Sequence, residues 1–200
     1  MRGNAHVRFG GRPGETGRQK RRYCAPARPC GASLTPAVRR TWAPRGKTPV
    51  LRHPFNWKRI SMAAALVYRW DGARTRLYFQ TQDGTYNEES LVEFIRDLRP
   101  HFRGEQVILL WDGLPSHRSK LMTEFLAEQR HWLEVRRLPA YAPELNPVEG
   151  LWSNLKSQEL ANRCETHAQM VTIAARQGAN RVRSQRSLLL GLLRHTGLQL

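Results

Sequence analysis

The chain has few cysteines and no long apolar run, and its first third contains almost no acidic residues. Its three cysteines, at positions 24, 30 and 164, form no pairing pattern, and this excludes a disulfide scaffold. Cys24 and Cys30 also lack the spacing and histidine partners of a zinc site. No window approaches the ~18 apolar residues of a membrane span, and no apolar stretch follows the N-terminal arginines as in a signal peptide. These absences predict a soluble protein of a reducing compartment without a membrane partner.

Basic residues are abundant and unevenly placed. The net charge is +17 in 200 residues, and residues 1–60 hold 15 Lys and Arg against a single acid, Glu15. Such an excess indicates a polyanionic partner. Residues 1–31 are rich in Gly, Arg and Pro and show no helical or strand periodicity. This composition predicts a disordered basic segment. Residues 32–200 predict one folded domain.

The hydrophobic and turn patterns of that domain predict a mixed α/β fold. The Asp71-Gly72 pair predicts a hairpin turn, a further turn is predicted at 43–46, and Asn87 is a predicted helix N-cap. The predicted strands cover residues 59–68, 75–81, 106–111 and 131–138. The predicted helices cover residues 87–100, 116–129 with Ser116 as cap, a segment that starts at 146 or 147, and one or two helices over about 165–193.

Two acids stand out because each adjoins the end of a predicted element. Asp112 follows the apolar run from Val107 to Trp111, and Glu149 lies in the first turn of the helix that begins near Asn146, with 36 residues between the two acids. Acids delivered to one edge of a sheet repel each other unless a cation neutralises them, and Mg²⁺ prefers such oxygen ligands. The ordinary alternatives are a turn-forming Asp and a Glu that interacts with the helix dipole.

The residues around both acids carry a family resemblance. The strings LLWDGLPSHRS and LPAYAPELNPVEGLWSNLK, together with TWAPRGKTPVLRH, resemble the DDE transposases of the mariner superfamily, in its bacterial insertion-sequence branch, the IS-six-thirty family. The resemblance covers about residues 33–200. It implies a ribonuclease-H-like mixed sheet flanked by helices. It also implies a DNA cleavage and strand-transfer enzyme that uses two Mg²⁺ (or Mn²⁺) ions.

The resemblance assigns roles residue by residue. Asp112 matches the second catalytic acid and Glu149 the third, so both would be catalytic and metal-binding. Asn146 and Pro147 match the loop that positions the Glu helix, and Trp152 would pack that helix. His117 matches a histidine common after the second acid, with a DNA contact and a plain helix-start residue as alternatives. DNA, as transposon ends and as target, would be the partner of a possible homodimer in the bacterial cytoplasm, associated with the nucleoid.

The sequence departs from the family at two places. Gly113 replaces the Asn expected beside Asp112. If Gly31 is the family's glycine, the first catalytic Asp falls on Arg28. The sheet is therefore expected to lack its first strand, and the chain to be an N-terminally truncated catalytic domain with little activity alone. Asp71 and Asp83, both in Asp-Gly turns, are poor replacements for the missing ligand.

Three other interpretations stay open at this stage. The chain is the downstream half of a product completed by ribosomal frameshifting, or a non-catalytic basic DNA-binding protein, or a related nuclease with a different third ligand. Steep salt dependence without metal dependence would indicate the DNA-binding protein.

Overall fold

A computed structural model describes residues 21–26, 30–33, 37–47, 49–50, 59–139, 142–165 and 167–197. Within these residues the chain forms one six-stranded mixed sheet with five α-helices. The strands are β1 (Arg21–Pro26), β2 (Cys30–Ser33), β3 (Arg59–Arg69), β4 (Thr75–Asp83), β5 (Gln106–Trp111) and β6 (Leu133–Arg137). The helices are α1 (Glu88–Leu98), α2 (Lys120–Glu128), α3 (Pro147–Gln158), α4 (Ala168–Ser184) and α5 (Arg186–His195).

The sheet is antiparallel on one side of β1 and parallel on the other. β4 pairs antiparallel with β3, and β3 pairs antiparallel with both β1 and β2. β1 is parallel to β5, and β5 is parallel to β6. The predicted mixed α/β class is therefore confirmed.

We expected the sheet to lack its first strand, but β1 occupies that place. This strand lies between β3 and β5, with Cys24 opposite Val67 on one side and Leu109 on the other. We predicted disorder for residues 1–31, but β1 and the start of β2 fall inside that range. Backbone hydrogen bonding to two neighbouring strands outweighs the local Arg-rich composition here. The domain boundary at residues 31 and 32 stays a prediction.

The remaining elements follow the sequence closely, with one error. Asn87 caps α1, where its side chain accepts a hydrogen bond from the Ser90 backbone at 2.9 Å. The error concerns the start of α2, which we placed at Ser116. A short 3₁₀ helix occupies Pro115–Arg118, and α2 begins after Ser119, whose hydroxyl accepts from the Met122 backbone at 3.2 Å.

Two hydrophobic clusters cover the two faces of the sheet, and β3 separates them. Its even-numbered residues, such as Met62 and Leu66, join the cluster with α3, α4 and α5. Its odd-numbered residues, such as Ala63 and Val67, join the cluster with α1 and α2. Because side chains alternate along a strand, a slip of one residue would exchange the two sets, so the core fixes the register. No helix in the described ranges has the length and apolar content needed to cross a membrane.

Candidate metal centre at the carboxyl end of β5

Asp112 lies where the buried central sheet ends. Five of the six residues of β5 are buried, and Asp112 follows directly with its side chain 22% exposed. Its Oδ1 accepts a hydrogen bond from the Leu114 backbone at 3.3 Å and lies 2.8 Å from Nδ1 of His117. The local turn and the histidine therefore fix the orientation of this carboxylate.

Glu149 is positioned by the start of α3. Asn146 is buried, and its side-chain oxygen accepts from the Val148 backbone at 3.2 Å, which caps the helix. Pro147 occupies the first helical position, where its missing N–H leaves no donor unpaired. Glu149 donates its own backbone N–H to the Asn146 carbonyl at 3.0 Å. The helix start thus holds the Glu149 backbone in a defined place.

One cleft joins the two acids. It has a volume of about 730 Å³ and opens between the segment after β5 and the loop before α3. The backbone N–H of Leu138 donates to the Trp111 carbonyl at 2.7 Å, which holds the ends of β6 and β5 together at the base of these segments. The residues that line it are Asp112, Gly113, Leu114, Pro115, Arg118, Leu138, Pro139, Ala142, Pro143, Asn146 and Glu149. The structure therefore brings together the two acids that the sequence singled out.

His117 supports Asp112 from inside the protein. It is 3% exposed, and its ring lies against Trp111 with the centroids 4.0 Å apart. Because a carboxylate oxygen only accepts hydrogen bonds, Nδ1 must be the donor in the contact with Asp112. The other nitrogen, Nε2, is buried without a hydrogen-bond partner among the described residues. A direct DNA contact by His117 conflicts with this burial.

Arg118 is a cleft residue that the sequence did not reveal. A Cβ on Gly113 would clash with Nη2 of Arg118, so the absence of a side chain at 113 leaves space for the guanidinium. Among the described residues, Arg118 forms no ion pair with a carboxylate. The signal that was present in the sequence was the departure from the family at Gly113.

Packing and polar contacts hold α3 in place. Trp152 is buried and its ring lies 6.2 Å from that of Phe79 on β4, as its expected packing role requires. At the far end, Arg181 on α4 donates to Glu159 at 2.5 Å and to Asn154 at 2.5 Å. The hydrogen bond to Glu159 raises the pKa of Arg181 above its ordinary value, so the guanidinium is always charged.

The two acids fit a Mg²⁺ ion as a partial ligand set. Carboxylate oxygens in an open cleft suit an ion that keeps several waters. A third acidic ligand is not among the described residues, where no group of three His, Cys, Asp or Glu could hold a metal. Asp71 pairs with Arg69 at 3.1 Å in the β3–β4 turn, and Asp83 ends β4; neither lines the cleft. Arg28 lies outside the described residues.

Comparisons with known proteins identify a family and a shared fold. The model of the DDE superfamily endonuclease family matches residues 30–171. No curated protein matches the sequence. A crystal structure of the mariner Mos1 paired end complex with Mg is similar at a TM-score of 0.61 and 14% identity, over 89% of this chain and 53% of that one. The Mos1 transposase paired-end complex with the left transposon end is similar at a TM-score of 0.54 and 16% identity, over 90% and 56%.

The chain therefore spans a little over half the length of these Mos1 chains. At this identity the likeness concerns the fold, and it confirms the ribonuclease-H-like sheet that the sequence predicted. The family match covers well over half of the chain and includes both Asp112 and Glu149. On these grounds the chain is a member of the DDE superfamily endonucleases.

Proposed function

We propose that this chain is a transposase catalytic domain of the bacterial insertion-sequence (IS-six-thirty) branch, built for metal-dependent DNA cleavage and strand transfer. The observation that carries the proposal is the shared cleft, into which β5 and α3 bring Asp112 and Glu149. Family membership and the fold that the chain shares with Mos1 support it. DNA, as transposon ends and as target, is the proposed substrate.

The residues in and beside the cleft would have separate roles in metal binding and in positioning the two acids. Asp112 and Glu149 would hold the divalent ion, which supplies Lewis-acid activation of the attacking oxygen in phosphodiester cleavage. His117 would keep the Asp112 carboxylate in one orientation through its 2.8 Å contact. Asn146 would fix the start of α3 and thereby the position of Glu149.

We further propose that the site is impaired. If Gly31 is the family's glycine, Arg28 stands at the position of the family's first Asp, and an arginine there would remove a ligand and add a charge that repels the cation. Cleavage by this chain alone would then be weak or absent. A homodimer that holds two DNA ends belongs to the same proposal.

The decisive experiment is nicking of supercoiled plasmid in Mg²⁺ or Mn²⁺ by the purified chain. The variants are Asp112→Ala, Glu149→Ala, Arg28→Asp and, as matched control, Asp71→Ala, an acid outside the cleft. We expect little nicking by the unaltered chain, a gain on Arg28→Asp, and loss of that gain when either cleft acid is also removed.

Mn²⁺ binding measured by titration calorimetry gives a readout that does not depend on cleavage. Removal of either cleft acid should weaken binding at least tenfold, whereas Asp71→Ala should leave it unchanged. If Mn²⁺ binding is indifferent to Asp112 and Glu149, the metal centre is wrong. The remaining candidate is then DNA binding without cleavage, which the net charge of +17 favours.

A further inference from the structure

A basic arm projects from the domain between β2 and β3. We use this name for residues 38–47, Val-Arg-Arg-Thr-Trp-Ala-Pro-Arg-Gly-Lys, all of which are exposed. The arm contains four cations and no acid. Trp42 is 100% exposed, although tryptophan is a side chain that folded proteins bury in large part. A fully exposed Trp among cations that form no ion pair with a described residue is a candidate surface for a partner.

The base of the arm is held to the domain. Asn162, in the link between α3 and α4, has a left-handed backbone with φ of 55°. Its side chain accepts from the Arg39 backbone at 2.8 Å and donates to the Arg39 carbonyl at 3.0 Å. Its own backbone N–H donates to the Ala37 carbonyl at 2.9 Å. The arm therefore leaves the protein at a fixed point beyond the end of α3, the helix whose first turn carries Glu149.

The tip of the arm is a tight turn. Lys47 donates its backbone N–H to the Pro44 carbonyl at 3.0 Å. Gly46 has a φ of +80°, which a type II turn requires at its third residue. The turn places Arg45 and Lys47 at the tip with Trp42 just before it. Arg39, Arg40, Arg45 and Lys47 form no ion pair with a described residue.

We propose that the basic arm binds DNA whose bases are unpaired, with Trp42 stacking on a base and Arg45 and Lys47 contacting phosphates. An aromatic face beside cations is the combination that holds single strands, because every base offers a π-face and every linkage a negative charge. α3 rises about 1.5 Å per residue, so the arm leaves on the order of 15–20 Å from the cleft. DNA in the cleft can reach it. This inference rests on the proposed function and adds a DNA-contacting surface outside the cleft.

The test measures binding by fluorescence anisotropy with a labelled single-stranded 20-mer and the corresponding duplex, in EDTA so that no cleavage occurs. Trp42→Ala should weaken single-strand binding about tenfold and duplex binding about twofold. Trp42→Phe, which keeps an aromatic face, should retain most of the affinity. Arg45→Gln should weaken both and lower the slope of log affinity against log salt by about one.

Controls come from another exposed turn. In the β3–β4 turn, Trp70 is 55% exposed, and Arg69 is already paired with Asp71 at 3.1 Å. Trp70→Ala and Arg69→Gln should therefore leave the affinities for single-stranded and duplex DNA unchanged. Equal affinity of Trp42→Ala and the unaltered chain for the single strand would overturn the proposal. So would a Trp42→Ala variant that changes only the sedimentation from dimer to monomer, because the arm would then bind a second copy.

The DNA-binding role of the basic arm and the proposed metal centre can be tested independently of each other. The binding assay in EDTA reports on the arm without metal-dependent cleavage, so an arm that binds DNA beside an inactive cleft still supports this inference. If the unaltered chain binds neither DNA, both the arm and the proposed function are wrong.

Discussion

His117 is the residue that links the candidate metal centre to the hydrophobic interior. One ring nitrogen lies 2.8 Å from the Asp112 carboxylate, and the ring packs on Trp111 in a site closed to solvent. A residue in this position would act on the proposed metal ligand, Asp112, without touching the ion. Its two contributions, orientation and packing, can be separated by substitution.

His117→Ala should lose both contributions, while His117→Asn keeps a donor near the place of Nδ1. We expect the Ala variant to lower the free energy of unfolding by about 2–4 kcal/mol and to weaken Mn²⁺ binding about tenfold. The Asn variant should lose stability but bind Mn²⁺ within about threefold of the unaltered chain. Calorimetric titration and urea unfolding measure the two effects, and equal Mn²⁺ affinity of both variants would refute the orienting role.

Arg118 places a positive charge in the same cleft as the two acids. A cation there opposes the entry of a second cation, although solvent screens the effect. Arg118→Gln should therefore raise the affinity for Mn²⁺ about threefold at low salt, and less at 0.5 M salt. Arg163→Gln, which removes a cation paired with Glu165 outside the cleft, serves as the control. An unchanged or weaker Mn²⁺ affinity in Arg118→Gln would contradict this electrostatic argument.

At the scale of elements, the position of Glu149 depends on the contact between α3 and α4. Gly178 on α4 approaches α3 so closely that a Cβ would lie 2.6 Å from both Leu155 Cδ2 and Glu159 Oε2. Leu155 is buried in the core, and Glu159 is held by Arg181, so neither moves away at low cost. The absence of a side chain at 178 therefore sets the spacing of the two helices.

Gly178→Ala should destabilise the protein in spite of the higher helix propensity of alanine. The propensity gain is about 1 kcal/mol, while overpacking costs about 1–3 kcal/mol. We expect a melting temperature lower by roughly 2–6 °C. Gly191→Ala in α5 is the matched control, because nothing lies within 4 Å of its added methyl; it should raise the melting temperature by roughly 1–3 °C. A rise for both variants would show that the helices can separate without penalty.

The elements that the sequence predicted correctly are those with local signals. The cap at Asn87, the start of a helix at 146 or 147, the turn at Gly72 and the buried runs of β3 and β5 each have a sequence signal within a few residues. The prediction of Ser116 as the cap of α2 was wrong. Ser119, three residues later, is an equally suitable cap residue, and its hydroxyl accepts the hydrogen bond from the Met122 backbone. Gly113 beside Arg118, and Asn162 beside Arg39, involve contacts that only the folded chain reveals.

At the scale of the whole molecule, β1 decides whether the sheet is continuous. An Arg-rich strand with no apolar alternation gave no local signal, and its place between β3 and β5 follows from two sets of long-range backbone bonds. Hydrogen exchange followed by mass spectrometry tests this directly. Amides of residues 22–25 should be protected as strongly as those of β3, whereas amides of residues 41–43 should exchange at nearly the rate of an unfolded chain.

The exchange rates of β1 and of the basic arm can be compared within the same experiment. If residues 22–25 exchange as fast as residues 41–43, β1 does not form, and β3 and β5 are left without a common neighbour. Added single-stranded DNA should slow exchange in the arm and leave β1 unchanged. The two segments thus report on different parts of the molecule in one experiment.

The fixed position of α3 has a consequence for synthesis of the chain. Asp112 and Glu149 have both been translated before α4 begins, yet Leu151 and Leu155 pack with Val171, Val182 and Leu189, which follow. A nascent chain that ends after α3 therefore contains both acids but lacks α4 and α5, against which α3, the helix of Glu149, packs. We therefore expect the carboxylate pair to assemble only once α4 and α5 have left the ribosome, so the growing polypeptide would lack the candidate metal centre.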